Sequence, residues 1–355
     1  MKHRAMVAMS GGVDSSVAAH LIKSRGYDAI GVTLRLFDAE EPPEEGAKTC
    51  CSLDDVEDAQ SVATRLGMKH YTFNFKDEFR REVIGRFIDA YEHCRTPNPC
   101  IECNKHIKFK KLLERAKQLE YDYIVTGHYA RISEENGRFL LKKGLDNTKD
   151  QSYVLYSLTQ EQLKHTLLPI GEMTKKEVRE IAQENGFINA RKRDSQDICF
   201  VPDGDYASFI RRCSGREYPN GNFVDMEGNV LGEHKGLIKY TVGQRKGLGL
   251  ALPKPMYVCS LCPEDNKVIL GDNSDLFSKE LDAEEINLIA CERIDAPIRV
   301  TAKVRYSQSA QPATVWQTGD DSIHVEFDEP QRAITSGQAV VMYDGETVVG
   351  GGVIK

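Results

Sequence analysis

A serine- and glycine-rich segment near the start of the chain has residue types that suit phosphate chemistry. Ser10-Gly11-Gly12-Val13-Asp14-Ser15-Ser16 lies between an apolar run and a helical run. Glycines at such a strand-to-helix turn let backbone N–H groups approach a phosphate, and the helix start adds about half a positive charge. The lysine of a Walker A loop is missing, and Asp14 is present instead. We therefore predict ATP binding, with Asp14 holding Mg²⁺ beside a pyrophosphate leaving group.

Three cysteines form a second group of residues that could take part in catalysis or bind a metal. Cys100 and Cys103 lie beside two prolines just before a predicted helix, and Cys199 lies far away in sequence at the end of the same predicted domain. A helix N-terminus lowers a thiol pKa below its free value of about 8.5, which favours a nucleophile or a metal ligand. Taken alone, Cys199 between two apolar residues favours a buried core thiol over a chemical role.

The remaining cysteines have plainer interpretations. Cys50-Cys51 fits a turn, with a zinc or redox role as the alternative. Cys259 and Cys262 have metal-ligand spacing, but no second pair accompanies them, so we expect strand thiols. We treat Cys94, Cys213 and Cys291 as structural.

The elements that must position these residues alternate between strand and helix in the first part of the chain. That alternation predicts a parallel sheet with helices on both faces and a ligand at the carboxyl ends of its strands. Strand-like runs are residues 5–9, 29–36, 70–75 and 123–126, and helical runs are residues 17–24, 53–66, 77–91 and 107–119. Thr159-x-x-Gln162 and Thr174-x-x-Glu177 predict two capped helices further along.

The later part of the chain has a β pattern. Glycine-rich turns and short strands follow Pro202, and from about Leu276 apolar and polar residues alternate, as over residues 298–306. A closed or nearly closed barrel leaves no sheet edge exposed. The predicted α/β fold thus has a parallel-sheet ATP-binding and catalytic domain (1–205), a small β-rich central domain (206–275) and a C-terminal β-barrel (276–355).

Composition limits the class of protein. With 355 residues and a net charge of −7, the chain lacks the overall positive charge that is typical of a general nucleic-acid binder. Local basic clusters nevertheless occur at residues 105–111, 191–193, 211–212 and 245–246. The start of the chain fits neither a signal peptide nor a membrane span, so we expect a cytoplasmic protein whose ten cysteines are mostly reduced.

Six ordered motifs together resemble the tRNA-specific 2-thiouridylases of the PP-loop ATP pyrophosphatase superfamily, over essentially the whole chain. They are the phosphate loop, Thr96-Pro97-Asn98-Pro99, Cys103-Asn104-Lys105, Thr126-Gly127-His128-Tyr129, Lys149-Asp150-Gln151-Ser152-Tyr153 and Ser195-Gln196-Asp197-Ile198-Cys199-Phe200. The match extends to Val304-Arg305-Tyr306 and Ser336-Gly337-Gln338. The resemblance implies ATP-dependent 2-thiolation of the wobble uridine of tRNAs for Lys, Glu and Gln through an adenylated uridine.

The resemblance also implies roles for individual residues. Cys103 is implied as the nucleophile and Cys199 as the persulfide carrier, the two pairing as a transient disulfide. The implied ATP-binding residues are Ala8, Met9, Ser10, Gly11, Gly12, Val13, Asp14, Ser15, Leu34 and Gly127. The implied tRNA-binding residues are Asn98, Pro99 and Cys100 at the target base, with His128, Lys149, Asp150, Gln151, Arg305, Tyr306 and Gln338. The implied partners are tRNA and a sulfur donor, either a cysteine desulfurase, a relay protein or free hydrosulfide.

Cys100 departs from the family pattern, because many relatives carry an aspartate there. Cys100, Cys103 and Cys199 together supply three soft ligands, which would hold a 4Fe-4S cluster with one iron open to hydrosulfide. We favour this cluster hypothesis over the persulfide relay. Two other classes stay open: an amide-forming ligase for a small metabolite, and a non-catalytic iron-sulfur or redox-sensing protein that binds ATP. Pyrophosphate release that depends on tRNA separates the thiolase from both.

Overall fold

The computed structural model of the chain describes residues 2–37, 53–192 and 198–355. These residues divide into two compact units. The first unit contains the described residues of Met1–Ile84, Pro99–Gly204 and Glu346–Val348. The second unit contains Gly85–Asn98, Asp205–Gly345 and Val349–Lys355.

A parallel sheet forms the centre of the first unit, in the strand order β3-β2-β1-β4-β7. Its strands are β1 (Arg4–Ala8), β2 (Asp28–Arg35), β3 (His70–Asn74), β4 (Tyr123–Val125) and β7 (Thr166–Leu167). Met6 on β1 pairs with Ile30 on one side and Ile124 on the other. The direction in which successive strands are added therefore reverses beside β1, and parallel sheets bind ligands at such a switch point.

Helices cover this sheet as the sequence predicts. The α-helices along the chain are α1 (Val13–Ser24), α2 (Leu53–Arg65), α3 (Lys76–Phe79), α4 (Arg86–Glu92), α5 (Pro99–Glu102), α6 (Leu112–Gln118), α7 (Gln160–Lys164), α8 (Lys175–Glu184) and α9 (Tyr206–Ser214). Helices α4 and α9 belong to the second unit. Both predicted capping boxes are present, at Thr159 before α7 and Thr174 before α8. Apolar side chains of α1, α2 and α8 pack on β1 in one core that includes Val7, Val62 and Val178.

Two helical stretches have π geometry, in which backbone hydrogen bonds span five residues. Arg80–Gly85 joins α3 to α4, so the single helix predicted over residues 77–91 is interrupted. Cys103–Lys111 joins α5 to α6. Such segments are uncommon in α-helical structure and occur frequently at functional sites.

A β-hairpin of the first unit is absent from the sequence prediction. Strands β5 (Ala130–Glu135) and β6 (Arg138–Lys143) pair through a turn at Asn136 and Gly137, whose φ angles are 52° and 76°. These positive φ values define the turn type whose twist matches that of paired strands, and Asn-Gly is its preferred sequence.

The second unit contains a four-stranded sheet in the order β10-β11-β8-β9. Its strands are β8 (Gly221–Val224), β9 (Val230–His234), β10 (Tyr257–Cys262) and β11 (Lys267–Gly271). Phe223, Tyr240 and Val258 pack in its core. Cys259 and Cys262 lie on β10, so the expected strand position of these thiols is confirmed.

The second unit also contains the predicted C-terminal barrel. Its strands are β12 (Phe277–Leu288), β13 (Ile298–Lys303), β14 (Gln311–Gly319), β15 (Ser322–Arg332), β16 (Ala339–Asp344) and β17 (Thr347–Ile354). They run in the order β12-β15-β14-β13-β16-β17, and β12 also pairs with β17, which closes the barrel. The α/β fold class with a β-rich middle part is therefore confirmed. Among the described helices, none combines the length and apolar character needed to cross a bilayer.

Candidate active site

The phosphate loop lies where the sequence predicts it, between β1 and α1 at the carboxyl edge of the sheet. Gly11 has a φ of +73°, and a Cβ built there would lie 2.4 Å from the backbone oxygen of Asp55. Gly12 precedes α1 in an extended conformation and supplies no side-chain cap. The backbone conformation and close contact at Gly11 therefore require glycine. Because α1 has no side-chain cap, its first N–H groups are available for an anion.

Serine hydroxyls in the loop bond to the loop itself. Ser15 Oγ accepts from the N–H of Ser10 at 3.2 Å and donates to the carbonyl of Gly12 at 3.0 Å. Ser16 Oγ donates to the same carbonyl at 3.1 Å. In this structure the serine hydroxyls therefore shape the loop.

The Asn189 side chain forms hydrogen bonds to the phosphate loop, a role that the sequence analysis did not identify. Its side chain is 2% exposed, and Nδ2 donates to the carbonyl of Gly11 and to Ser16 Oγ, both at 2.9 Å. By occupying the Gly11 carbonyl, Asn189 fixes the peptide orientation that directs the neighbouring N–H groups away from it.

Lys192 forms a second support beside the loop. Its Nζ lies 2.6 Å from Asp55 Oδ1 and 2.6 Å from Asp58 Oδ2, and 3.5 Å from the Gly11 carbonyl. Burial acts to lower the pKa of Lys192, but the hydrogen bonds that its ammonium donates to both carboxylates outweigh burial and raise the pKa. The sequence placed Lys192 in a basic cluster and gave no sign of this buried pairing.

Asp14, predicted to hold Mg²⁺, binds a lysine in this structure. Lys175 Nζ lies 2.7 and 2.8 Å from the two carboxylate oxygens of Asp14, and the Tyr129 hydroxyl donates to Oδ1 at 2.8 Å. Gly127 packs closely against the backbone of Asp14, since a Cβ at position 127 would lie 2.6 Å from the Asp14 carbonyl carbon. Carboxylate oxygens suit Mg²⁺, so the donor at Asp14 fits the metal if the ammonium group moves away.

Two of the implied ATP-binding residues, Leu34 and Val13, are largely buried. Leu34 on β2 is 9% exposed and Val13 on α1 is 4% exposed. Thr33 Oγ1 donates to the carbonyl of Met9 at 2.8 Å and lies 2.9 Å from His70 Nε2. Any nucleotide contact made by these residues therefore depends mainly on backbone atoms, and their assignment stays a prediction.

The two cysteines of the Cys100-x-x-Cys103 pair differ in exposure. Cys100 lies exposed in α5, whereas Cys103 is 8% exposed and begins the π-helix Cys103–Lys111. Asn104, 1% exposed, donates from Nδ2 to the carbonyl of Val154 at 2.9 Å. This buried hydrogen bond fixes the helix at the residue after Cys103.

Cys199 lies in a turn in which the N–H of Val201 donates to the carbonyl of Ile198. The next side chain, Phe200, is buried against Phe79 of α3, with ring centroids 5.7 Å apart. Helix α3 also contacts the π-helix that begins at Cys103. The Cys199 turn and the Cys103 helix therefore pack on the same short helix of the first unit.

A cluster site is not shown. Within residues 2–37, 53–192 and 198–355, no three His, Cys, Asp or Glu side chains are grouped so as to hold a metal ion. A 4Fe-4S cluster on Cys100, Cys103 and Cys199 is therefore not shown and stays a prediction. No disulfide joins the cysteines that the structure describes. Cys50, Cys51, Arg193 and residues 194–197 of the Cys199 motif lie outside the described residues.

Several side chains of the first unit that are predicted to contact tRNA already form hydrogen bonds within the protein. His128 is buried, its Nδ1 lies 2.7 Å from Thr126 Oγ1, and burial lowers its pKa well below the usual value. Asp150 accepts hydrogen bonds from Gly144 and Ser152, and Gln151 Oε1 accepts from the N–H of Tyr129. Lys149 is partly exposed, whereas Pro99 is buried.

Predicted tRNA contacts in the second unit converge on one turn, residues 335–338. Gln338 Nε2 donates to the carbonyl of Thr96 at 2.7 Å, and the N–H of Thr96 donates to the carbonyl of Ser336 at 2.8 Å. Arg305 Nη2 donates to Thr335 Oγ1 at 2.6 Å and to the Ala333 carbonyl at 2.8 Å. Two motifs more than two hundred residues apart in sequence are thus brought together.

Two other residues near this turn are accessible to solvent. Tyr306, after Arg305, is 43% exposed, and Lys303 Nζ lies 5.7 Å from its ring centroid. Asn98, two residues after Thr96, is partly exposed. Both have the accessibility that a contact with a large polyanion requires.

Family models match the chain in three consecutive parts. The tRNA methyl transferase HUP domain matches residues 3–203, the tRNA methyl transferase PRC-barrel domain residues 207–272, and the aminomethyltransferase beta-barrel domain residues 278–354. The parallel sheet with its phosphate loop is therefore a HUP domain, followed by a PRC-barrel domain and a closed β-barrel.

Curated relatives narrow this class to one family. The tRNA-specific 2-thiouridylase MnmA of Clostridioides difficile (strain 630) is 54% identical over 358 residues, covering 100% of this chain and 99% of that protein. MnmA of Clostridium acetobutylicum is 50% identical over 357 residues, covering 100% of both. The chain belongs to the tRNA-specific 2-thiouridylase family.

Solved structures resemble the chain at much lower similarity. A 4-thiouridine synthetase in complex with RNA and bound ATP is 19% identical and has a TM-score of 0.40, covering 60% of this chain and 50% of that one. At this TM-score the likeness says nothing about function.

Proposed function

We propose that this protein replaces the C2 oxygen of the wobble uridine with sulfur in tRNAs for Lys, Glu and Gln, using ATP. The full-length similarity to 2-thiouridylases carries this proposal, and the phosphate loop at the switch point of the sheet supports its ATP-dependent step. The soft thiols at Cys103 and Cys199 supply a route for sulfur.

Adenylation makes the C2 oxygen a leaving group. In the proposed reaction the uridine oxygen attacks the α-phosphate of ATP, and the bond to pyrophosphate breaks. The N–H groups at the start of α1, shaped by Gly11 and Gly12, stabilise the negative charge on the phosphates. Mg²⁺, held by Asp14 and the nucleotide, would neutralise part of the charge on the pyrophosphate.

Sulfur transfer follows, and we propose that it uses a Cys199 persulfide. The terminal sulfur attacks C2, and AMP leaves with the original oxygen. The Cys103 thiolate then attacks Cys199 Sγ, which forms a Cys103–Cys199 disulfide and releases 2-thiouridine. In the alternative order, Cys103 first releases hydrosulfide from the persulfide. A thiol reductant restores both cysteines, and a cysteine desulfurase or relay protein recharges Cys199.

A second sulfur route is favoured by one sequence feature, the Cys100-x-x-Cys103 spacing. In that route a 4Fe-4S cluster on Cys100, Cys103 and Cys199 would bind hydrosulfide. Within the described residues these thiols are not grouped around a single metal ion, and we propose the persulfide route in preference. Anaerobic purification with iron and acid-labile sulfide analysis distinguishes the routes: about four irons per chain, lost in Cys100→Asp, contradicts the persulfide route.

The function itself is tested by supplying tRNA, Mg·ATP and a sulfur donor, then measuring pyrophosphate and the mass of the modified nucleoside. We expect pyrophosphate release only with tRNA and an oxygen-to-sulfur exchange at the wobble uridine. Cys199→Ser should release pyrophosphate without thiolation. Pyrophosphate release with a small amine and no tRNA would indicate a ligase, and ATP binding without any turnover would indicate a sensor.

A further inference from the structure

The ion pair between Lys175 and Asp14 is not explained by the fold alone. Lys175 is the first residue of α8, and Asp14 is the second residue of α1, 161 positions earlier. The Lys175 side chain is 11% exposed and the Asp14 side chain 31%. A half-buried pair of this kind gives little net stability, because removing both charges from water costs about as much as their attraction returns.

The electrostatic charge around the Lys175–Asp14 pair favours binding of a ligand with several negative charges. Helices α1 and α8 contact each other and both begin here. The carboxylates of Asp146 and Glu177 already compensate the N-terminus of α8, whereas the N-terminus of α1 has no side-chain cap and carries about half a positive charge. Asp14 balances the ammonium of Lys175, so the start of α1 leaves a positive excess at the phosphate loop. A ligand with several negative charges would neutralise that excess.

The lysine also supplies what the loop sequence lacks. In a Walker A loop, a lysine within the motif reaches the β- and γ-phosphates. This loop has Asp14 instead, but the fold brings an ammonium within 2.7 Å of that carboxylate from a remote helix. The helix cap fixes its position: Thr174 caps α8, and the N–H of Lys175 donates to Asp146 Oδ2 at 3.0 Å.

We propose that Lys175 is a pyrophosphate-binding residue that occupies the Asp14 carboxylate until Mg·ATP binds. In the nucleotide-free protein its ammonium holds Asp14 in place of Mg²⁺. When Mg·ATP enters, the ammonium moves from Asp14 to the β- and γ-phosphate oxygens, and Tyr129 keeps its hydrogen bond to Asp14. This inference rests on the proposed ATP-dependent function and names a phosphate ligand within it.

Calorimetry with inorganic pyrophosphate and with Mg·ATP, without tRNA, tests the proposal independently of turnover. Lys175→Met should weaken Mg·ATP binding roughly 10- to 100-fold, since it removes a charge-assisted hydrogen bond to phosphate. Lys176→Met is the matched control, because Lys176 is the next residue of α8 and its side chain is 85% exposed. That variant should bind Mg·ATP within about twofold of the wild type.

A metal-free measurement separates phosphate binding from simple support of Asp14. In a chelator, Asp14→Asn should bind pyrophosphate about tenfold more tightly than the wild type, because the ammonium no longer has a competing carboxylate. Adding Lys175→Met to Asp14→Asn should remove that gain. Thermal melting of each variant shows that it is folded.

Three results overturn the inference. Wild-type affinity for Mg·ATP in Lys175→Met would leave Lys175 with a structural role only. Unchanged metal-free affinity in Asp14→Asn would mean that the ammonium does not move to phosphate, and this holds even if Lys175→Met fails to fold. Failure of the wild type to bind Mg·ATP would overturn the proposed function as well, whereas the first two results leave it intact.

Discussion

The phosphate loop of the first unit and the turn at residues 335–338 of the second unit use side chains differently. In the loop, the groups proposed to bind phosphate are backbone N–H groups, and buried side chains such as Asn189 orient them. In the turn, the groups proposed to bind tRNA are side chains, and Arg305 and Gln338 already bond to protein oxygens. Substitutions at the loop should therefore change ATP binding through the shape of the backbone, whereas those at the turn should remove side chains proposed to contact tRNA.

The largest effect is expected for Gly11→Ala. The positive φ and the contact of 2.4 Å with the Asp55 backbone should lower the free energy of unfolding by roughly 3 kcal/mol and abolish ATP binding. Gly67→Ala is the control, because Gly67 has a φ of +64° but no atom within 4 Å of the added Cβ. It should cost only about 1 kcal/mol. Chemical denaturation measures both, and equal losses would contradict the role of the Asp55 contact.

Asn189→Ala should follow in magnitude. Removal of the amide leaves the buried Gly11 carbonyl and Ser16 hydroxyl without this donor, which should cost about 1–3 kcal/mol of unfolding free energy. The KM for ATP should rise with little change in tRNA affinity. Asn185→Ala, which removes a bond to the Ile181 carbonyl at the end of α8, is the control and should leave the KM unchanged. A normal KM in Asn189→Ala would show that the loop keeps its shape without it.

Arg305→Ala and Tyr306→Ala test the residues at the turn of the second unit for stability and for tRNA binding separately. Arg305→Ala should lower the free energy of unfolding by about 1–2 kcal/mol, because backbone and hydroxyl acceptors lose their donor. Tyr306 is 43% exposed, so Tyr306→Ala should change stability by less than about 0.5 kcal/mol while weakening tRNA binding. Denaturation and tRNA titration separate the two effects. Unchanged tRNA affinity in Tyr306→Ala would remove that residue from the interface.

A further effect is a pH dependence of stability that arises from His128. Burial, followed by the nearby charge of Lys108, lowers its folded pKa well below 6.5. As the pH falls below about 6.5, the unfolded chain binds a proton that the folded protein does not, so stability decreases. His128→Asn should reduce this slope by at most about 1.4 kcal/mol per pH unit. Denaturation between pH 7 and pH 5 measures it, and identical slopes would mean that His128 is protonated in the folded protein.

Local patterns were sufficient to predict much of the fold. Alternating strand and helix runs gave the parallel sheet, and Thr159 and Thr174 marked two helices because capping boxes are formed within four residues. The β5–β6 hairpin was missed although Asn136-Gly137 between two strands is a direct signal for it. The interruption of the helix over residues 77–91 has no comparable signal, since π geometry depends on packing.

The supports of the site were not predictable in the same way. Asn189, Lys192 and Lys175 are common polar residues in helices or turns far from the loop in sequence. Only the folded chain shows that they meet the loop. Individual roles for the tRNA-binding and ATP-binding residues, and the domain boundaries at 205 and 275, stay predictions.

The π-helix that begins at Cys103 has a consequence for protein engineering. A π segment holds one more residue per hydrogen-bonded ring than an α-helix, and its formation is usually less favourable. Deleting one residue within Cys103–Lys111 would allow a regular helix and would be expected to raise thermal stability. The same deletion would change the helical phase between Cys103 and the buried face of α6, turning the thiol away from its present direction. With Cys103 in the proposed role, selection for heat resistance alone would therefore favour a chain that is more stable and less active.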